Sequence, residues 1–168
     1  SGCESDLTDT VNADKRTPSH IERDQYRHPQ QTLAFFGIKS DMTVVEIWPG
    51  PQGLYTEILA PLLREKGKLY AAHFPADADI AFYTKSLHRF EQKMAECPAV
   101  YDRVTITHLY PPTQTTIAPE GSADAVLTFR NVHNWLKAGT AAQASEAFFV
   151  ALKPGGTLGV VEHRAPQS

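Results

Sequence analysis

The sequence is poor in cross-linking and metal-binding residues. It has two cysteines, Cys3 and Cys97, in 168 residues, and no Cys-x-x-Cys or His-x-x-x-His pair. A disulfide framework and a structural metal site are therefore not expected. His20, His88 and His108 share no ligand spacing and read as surface or packing residues. Long apolar runs are also missing: nothing approaches the roughly 20 residues that cross a bilayer as a helix. Positive charge is not in excess either. Sixteen Lys and Arg stand against nineteen Asp and Glu, a formal net charge of -3. That balance supplies no basic stripe for a phosphate backbone, so a nucleic-acid partner is disfavoured.

What remains is an ordinary globular composition, 42% hydrophobic and 21% charged, of a length that suits one domain with one good core. Residues 1–17 are polar and aperiodic and read as a flexible tail, leaving residues 18–168 as the folded domain. Cys97 follows a helical pattern and precedes Pro98, which suits a small buried residue at a helix end. Cys3 admits two readings. Ser1-Gly2-Cys3 ahead of a polar tether resembles the processed end of a bacterial lipoprotein, with Cys3 as lipid anchor and the cell envelope slightly favoured over the cytoplasm. Otherwise Cys3 is an exposed thiol in a tail.

Apolar periodicity alternates between strand and helix. A polar helix is expected over Ile21 to Tyr26, and a second one from His28-Pro29 with Leu33, Phe35 and Phe36 apolar and Gly37 as its stop. Val44-Val45-Glu46-Ile47 reads as strand one, and Trp48 to Gly53 as a turn. Leu54, Ile58, Leu59, Leu62 and Leu63 mark a helix that Pro61 should kink or end. Lys68 to Ala72 is strand two. Ile80, Tyr83, Leu87, Phe90 and Met94 form one helix face. Val104 to Thr107 is strand three, and residues 110–122, with three prolines and a glycine, are a loop. Ala125 to Phe129 is strand four. A helix over Ala141 to Leu152 turns inward Ala144, Phe148 and Leu152. Lys153-Pro154-Gly155-Gly156 is a turn, and Thr157 to Glu162 is strand five. Strands alternating with helices imply parallel pairing and right-handed crossovers.

In such sheets a ligand binds beyond the carboxyl ends of the strands. The loop after strand one carries Gly50 and Gly53, which let backbone approach a ligand, and it opens a helix whose first N–H groups are unpaired. After strand four comes Arg130-Asn131-Val132-His133-Asn134-Trp135 on the same rim. There His133 suits a general base, Arg130 an anionic group and Trp135 a planar one. A purely structural reading makes Asn131 or Asn134 a helix cap and Trp135 core. His163 and Arg164 follow strand five on that rim.

Several stretches carry a family resemblance. Pro119-Glu120-Gly121-Ser122-Ala123-Asp124 leading into strand four, and Leu152-Lys153-Pro154-Gly155-Gly156 leading into strand five, look like class I methyltransferase loops in the right order. Tyr26-Arg27-His28-Pro29, Glu46-Ile47-Trp48-Pro49-Gly50, Tyr55 to Pro61, Thr128 to Trp135 and Gly159 to Arg164 are similar to a bacterial family of predicted methyltransferases. Its members often carry export signals. The resemblance covers roughly residues 20 to 168 and implies a Rossmann-like class I fold, strand order 3-2-1-4-5, with S-adenosylmethionine as cofactor and a small-molecule substrate. It also implies the site. Glu46, Trp48, Gly50 and Gly53 would lie by the cofactor's amino-acid end, His73 and Phe74 by the ribose, and Leu109 or Tyr110 by the adenine. His133, Arg130 and Asn131 would be catalytic, and Trp135, His163 and Arg164 would meet the substrate.

Three departures stand out. The family's loop usually reads Trp-Pro-Gly-Gly-Gly-Trp-Tyr-Thr, whereas Trp48-Pro49-Gly50-Pro51-Gln52-Gly53-Leu54-Tyr55-Thr56 is one residue longer, and Pro51 removes an N–H. The acidic residue usual after strand two is replaced by His73-Phe74, with Asp77 and Asp79 following. The usual last two strands do not follow strand five in this sequence, so either it is a fragment or strand five is an edge open to pairing with a second copy. The alternative function is a binding protein of the cell envelope that keeps the fold without methyl transfer. A nicotinamide-dependent oxidoreductase fits poorly, because Gly-x-Gly-x-x-Gly is absent and no acid closes strand two.

Overall fold

The structure is a computed structural model that describes residues 29–129 and 139–161. The polar tail, the expected helix over Ile21 to Tyr26, and the segments holding Arg130 to Trp135 and His163-Arg164 lie outside the described residues. In chain order the elements are α1 (Pro29–Phe35), β1 (Thr43–Ile47), α2 (Thr56–Leu63), β2 (Lys68–His73), α3 (Ala81–Glu96), α4 (Pro98–Tyr101), β3 (Thr105–His108), β4 (Ala123–Phe129), α5 (Ala141–Ala151) and β5 (Leu152–Val161).

The five strands form one sheet in the order β3-β2-β1-β4-β5, and every neighbouring pair is parallel. Parallel strands need crossovers that cover both faces of the sheet, so the central strand is apolar on both sides. In β1, Val44 packs against Ile58, Leu59 and Leu63 of α2 and Val100 and Tyr101 of α4. Val45 and Ile47 lie in the opposite cluster with Leu109, Ile117, Ala144 and Phe148. Alternate side chains of a strand point to opposite faces, which is why Val44 serves one core and Val45 and Ile47 the other. Each fully buried aliphatic side chain of this kind contributes roughly 1.5–3 kcal/mol.

Asp124 ties the other end of the sheet. Its carboxylate accepts the Thr43 N–H at 2.8 Å and the Lys153 ammonium at 3.0 Å, joining the starts of β1, β4 and β5. Those bonds, the Thr43 N–H first, hold its pKa below the usual 3.8.

Pro61 stands at a boundary, as expected: α2 ends two residues later at Leu63. The elements depart from the sequence expectation in three places. Phe35 is 85% exposed, while Leu33 packs inward from α1 and Phe36, just beyond the helix, is partly buried. The turn Lys153 to Gly156 is an outward excursion within β5, because Ala123 pairs with Leu152 while Ala125 already pairs with Thr157. Cys97 is buried as expected but is disulfide-bonded rather than a free thiol; Cys3, the only other cysteine in the chain, lies outside the described residues.

Candidate functional site

The strand order reverses at β1: the chain moves to β2 and β3 on one side, then returns to β4 and β5 on the other. Connections leaving the carboxyl ends of β1 and β4 therefore diverge, and the gap between them is the switch point where such sheets hold ligands. The loop of residues 48–55 sits at this point. Trp48 continues the ladder with its N–H bonded to Ala72 O at 2.8 Å, yet takes a left-handed backbone, φ 46°. A non-glycine residue rarely does so. The turn directs its indole over the ends of the neighbouring strands. The Nε1–H donates to Leu109 O at 2.9 Å, and the ring packs on Phe74 and Tyr83 at centroid separations of 4.7 and 6.3 Å.

Gly50 and Gly53 serve the loop differently. Both have positive φ, 82° and 57°. Among the described residues, a β-carbon on Gly50 would meet nothing within 4 Å, so its side is open. A β-carbon on Gly53 would meet Phe90 and Thr56 at 3.2 Å, so this glycine allows close packing of the loop on α3 and α2.

Two side chains from different elements grip carbonyls of this loop. His73, at the end of β2, places Nε2 3.0 Å from Gly50 O, while its Nδ1 accepts the Phe74 N–H at 2.8 Å. A nitrogen that accepts a backbone N–H carries no proton, so Nε2 carries it and donates to Gly50. The ring is fully buried and burial lowers its pKa from 6.5 to about 4, so it is neutral at physiological pH. From α3, Lys93 donates to Gln52 O at 2.7 Å and also pairs with the carboxylate of Glu57, which is completely buried at the start of α2.

Beneath the loop, the Thr56 hydroxyl donates to Glu46 Oε1 at 2.6 Å. Glu46 is 1% exposed, and burial raises its pKa from 4.5 to about 7, opposed by the Thr56 bond and Lys93. On the β4 side, Tyr55 stacks on Phe129 with centroids 3.6 Å apart and planes within 3°. That stack fixes the distance between the glycine loop and the end of β4. On the β3 side, the Tyr110 hydroxyl donates to Asp79 at 2.7 Å, which pushes the phenol up to about 12.

The sheet thus brings Glu46, Trp48, Gly50, Gly53, His73, Phe74, Leu109 and Tyr110 to one rim, as the sequence suggested. Four of them do not present side-chain groups there. Glu46, Phe74 and Leu109 are buried, Phe74 beneath Trp48 and Leu109 offering only its carbonyl to it, and His73 spends both ring nitrogens inside the chain. The partly exposed members are Trp48, Gly50 and Tyr110. Arg130, Asn131, His133, Trp135, His163 and Arg164 lie outside the described residues. Sequence reading missed Thr56, Glu57 and Lys93. The available signal was a lysine three residues after Phe90, near the inward stripe of α3, and a Thr-Glu pair beginning a helix otherwise apolar. Among the described residues, no group of His, Cys, Asp and Glu is placed to hold a metal ion.

No family profile and no curated protein matches the chain. Solved structures do. A S-adenosylmethionine-dependent methyltransferase from Aquifex aeolicus matches 91% of this chain and 73% of its own, with TM-score 0.69 and 19% identity. A protein-L-isoaspartate O-methyltransferase matches 80% of this chain and 35% of its own, with TM-score 0.58 and 16% identity. An arsenic(III) S-adenosylmethionine methyltransferase from Chlamydomonas reinhardtii matches 71% and 38%, with TM-score 0.54 and 17% identity. At such identities the likeness is one of architecture, and its meaning is plain: the chain has the Rossmann-like class I methyltransferase fold.

Proposed function

We propose that this protein is an S-adenosylmethionine-dependent methyltransferase acting on a small molecule. The observation that carries the reading is the glycine loop at the switch point of a class I sheet, with an open side at Gly50. The loop fits the cofactor's amino-acid end. The Gln52 carbonyl is turned toward Lys93, and a trans peptide carries its N–H on the opposite side, so Gly53 offers a donor away from α3. The nucleoside half is of another kind: aromatic surface from Trp48, backed by the buried Phe74, and from Tyr110 stands where a carboxylate is usual. It supplies stacking in place of charge.

When bound, the cofactor supplies an activated methyl group, and the protein's work is alignment and removal of a proton. Trp48, Gly50, Gly53 and Tyr110 are the contacting residues in this reading. Glu46, through Thr56, and Phe74 and Leu109, through Trp48, act as supports. His133 takes the acceptor's proton, Arg130 and Asn131 orient the acceptor, and Trp135, His163 and Arg164 complete its pocket. The acidic balance of the chain supports a small acceptor over a nucleic acid. Among the described residues β5 stands at the sheet edge, and a second copy pairing there is the partner we propose.

The test is transfer of label from methyl-labelled S-adenosylmethionine into fractionated small molecules. His133→Ala is expected to abolish transfer while leaving S-adenosylhomocysteine affinity within about twofold; proportional loss of both removes His133 from the role of base.

A further inference from the structure

The loop of this chain is one residue longer than the pattern it resembles, and Pro51 sits at its centre. The structure grips it on both sides of that proline. His73 Nε2 holds Gly50 O at 3.0 Å and Lys93 Nζ holds Gln52 O at 2.7 Å. The two come from different elements, β2 and α3. Each is itself anchored. His73 is fixed by the Phe74 N–H on its other nitrogen, and Lys93 by the buried Glu57 carboxylate, whose backbone N–H in turn bonds Gly53 O at 3.0 Å. Side chains that bridge a loop to rigid elements set its peptide planes, and pre-organised donors bind without further reorganisation.

We infer that His73 and Lys93 are positioning residues: they clamp the carbonyls of Gly50 and Gln52 so that the Gly53 N–H faces the cofactor site. This inference rests on the proposed cofactor. The peptide held by His73 has no N–H to aim, because the next residue is Pro51. Its clamp fixes the entry of the loop. The peptide held by Lys93 carries the Gly53 N–H, and its orientation decides whether that donor serves a ligand. In this chain His73 therefore contributes through the loop and not through its own ring. Glu57 and Lys93 are an ion pair with a buried carboxylate, so lysine and carboxylate are neutralised together in one variant.

The experiment uses the full chain with three variants: Lys93→Arg, the double variant Lys93→Met/Glu57→Gln, and His73→Leu. Two readouts are taken, S-adenosylhomocysteine affinity by calorimetry and the order parameter of the Gly53 amide by NMR relaxation in ligand-free protein. The double variant and His73→Leu are expected to bind at least about tenfold more weakly, and the double variant to drop its Gly53 order parameter from about 0.85 to below about 0.6. Lys93→Arg, which keeps a donor and a charge, is expected to keep affinity within about threefold of the wild type. Folded variants with wild-type affinity and a wild-type Gly53 order parameter overturn the clamp. Failure of the wild type itself to bind removes the proposed cofactor, and the relaxation measurement then still decides whether Lys93 fixes the loop.

Discussion

Two buried groups on either side of the glycine loop make opposite contributions to stability with pH. Burial raises Glu46 from 4.5 to about 7. The folded state therefore holds a proton that the unfolded chain releases, and stability falls as pH rises through that window, then levels off. Burial lowers His73 from 6.5 to about 4, so the unfolded chain takes up a proton that the folded state refuses. Its contribution is complete above 6.5 and is lost as pH falls toward 4. At about 1.36 kcal/mol per pH unit, each gap corresponds to about 3 kcal/mol. Over the shared interval the two slopes offset each other in the wild type. Substitution uncovers them. Glu46→Gln is expected to stabilise the protein by up to about 3 kcal/mol at pH 8 and by little at pH 4, leaving a profile that falls in acid. His73→Gln is expected to leave the reverse, a profile that falls as pH rises from 4.5 to 7. Urea unfolding followed by circular dichroism across this range measures both. A Glu46→Gln profile parallel to that of the wild type would show that Glu46 ionises in the fold as it does in water, and would refute the argument.

Other substitutions probe packing and the sheet's opposite end. A β-carbon on Gly159 would lie 2.6 Å from Leu127 Cδ2 and 3.1 Å from Phe36, so Gly159→Ala should lower stability by about 1–3 kcal/mol in the same assay. Asp124→Asn weakens the bonds to Thr43 and Lys153 and should lower stability by about 1–2 kcal/mol at neutral pH. Because its folded pKa is depressed, that difference should vanish as pH falls below 3.8. Cys97 should resist alkylation in oxidised protein and react after reduction and unfolding; labelling without reduction would contradict its disulfide.

The sheet was legible because a buried parallel strand must be apolar on both faces. Val44, Val45 and Ile47 announce β1, and Ala125 to Leu127 announce β4 in the same way. The order of the strands followed from the family resemblance, and the switch point from that order. The site was legible only in outline. Glycines in a strand-to-helix loop marked the rim, but which polar groups grip that loop depends on contacts between residues 23 and 41 positions apart, His73 with Gly50 and Lys93 with Gln52. A histidine after strand two reads as a ligand-facing group until its ring is seen to spend both nitrogens within the chain. Likewise, Phe35 and Phe36 are equally apolar in sequence, and only the packing at the end of α1 shows that Phe36 is partly buried and Phe35 exposed.

The central claim is that this loop receives S-adenosylmethionine, and calorimetric titration with S-adenosylhomocysteine tests it most directly. The account predicts micromolar binding that is lost in Gly50→Leu, where a bulky side chain enters the open side of the loop on a backbone with φ 82° that disfavours it. The absence of any binding heat from well-folded wild-type protein would contradict the claim.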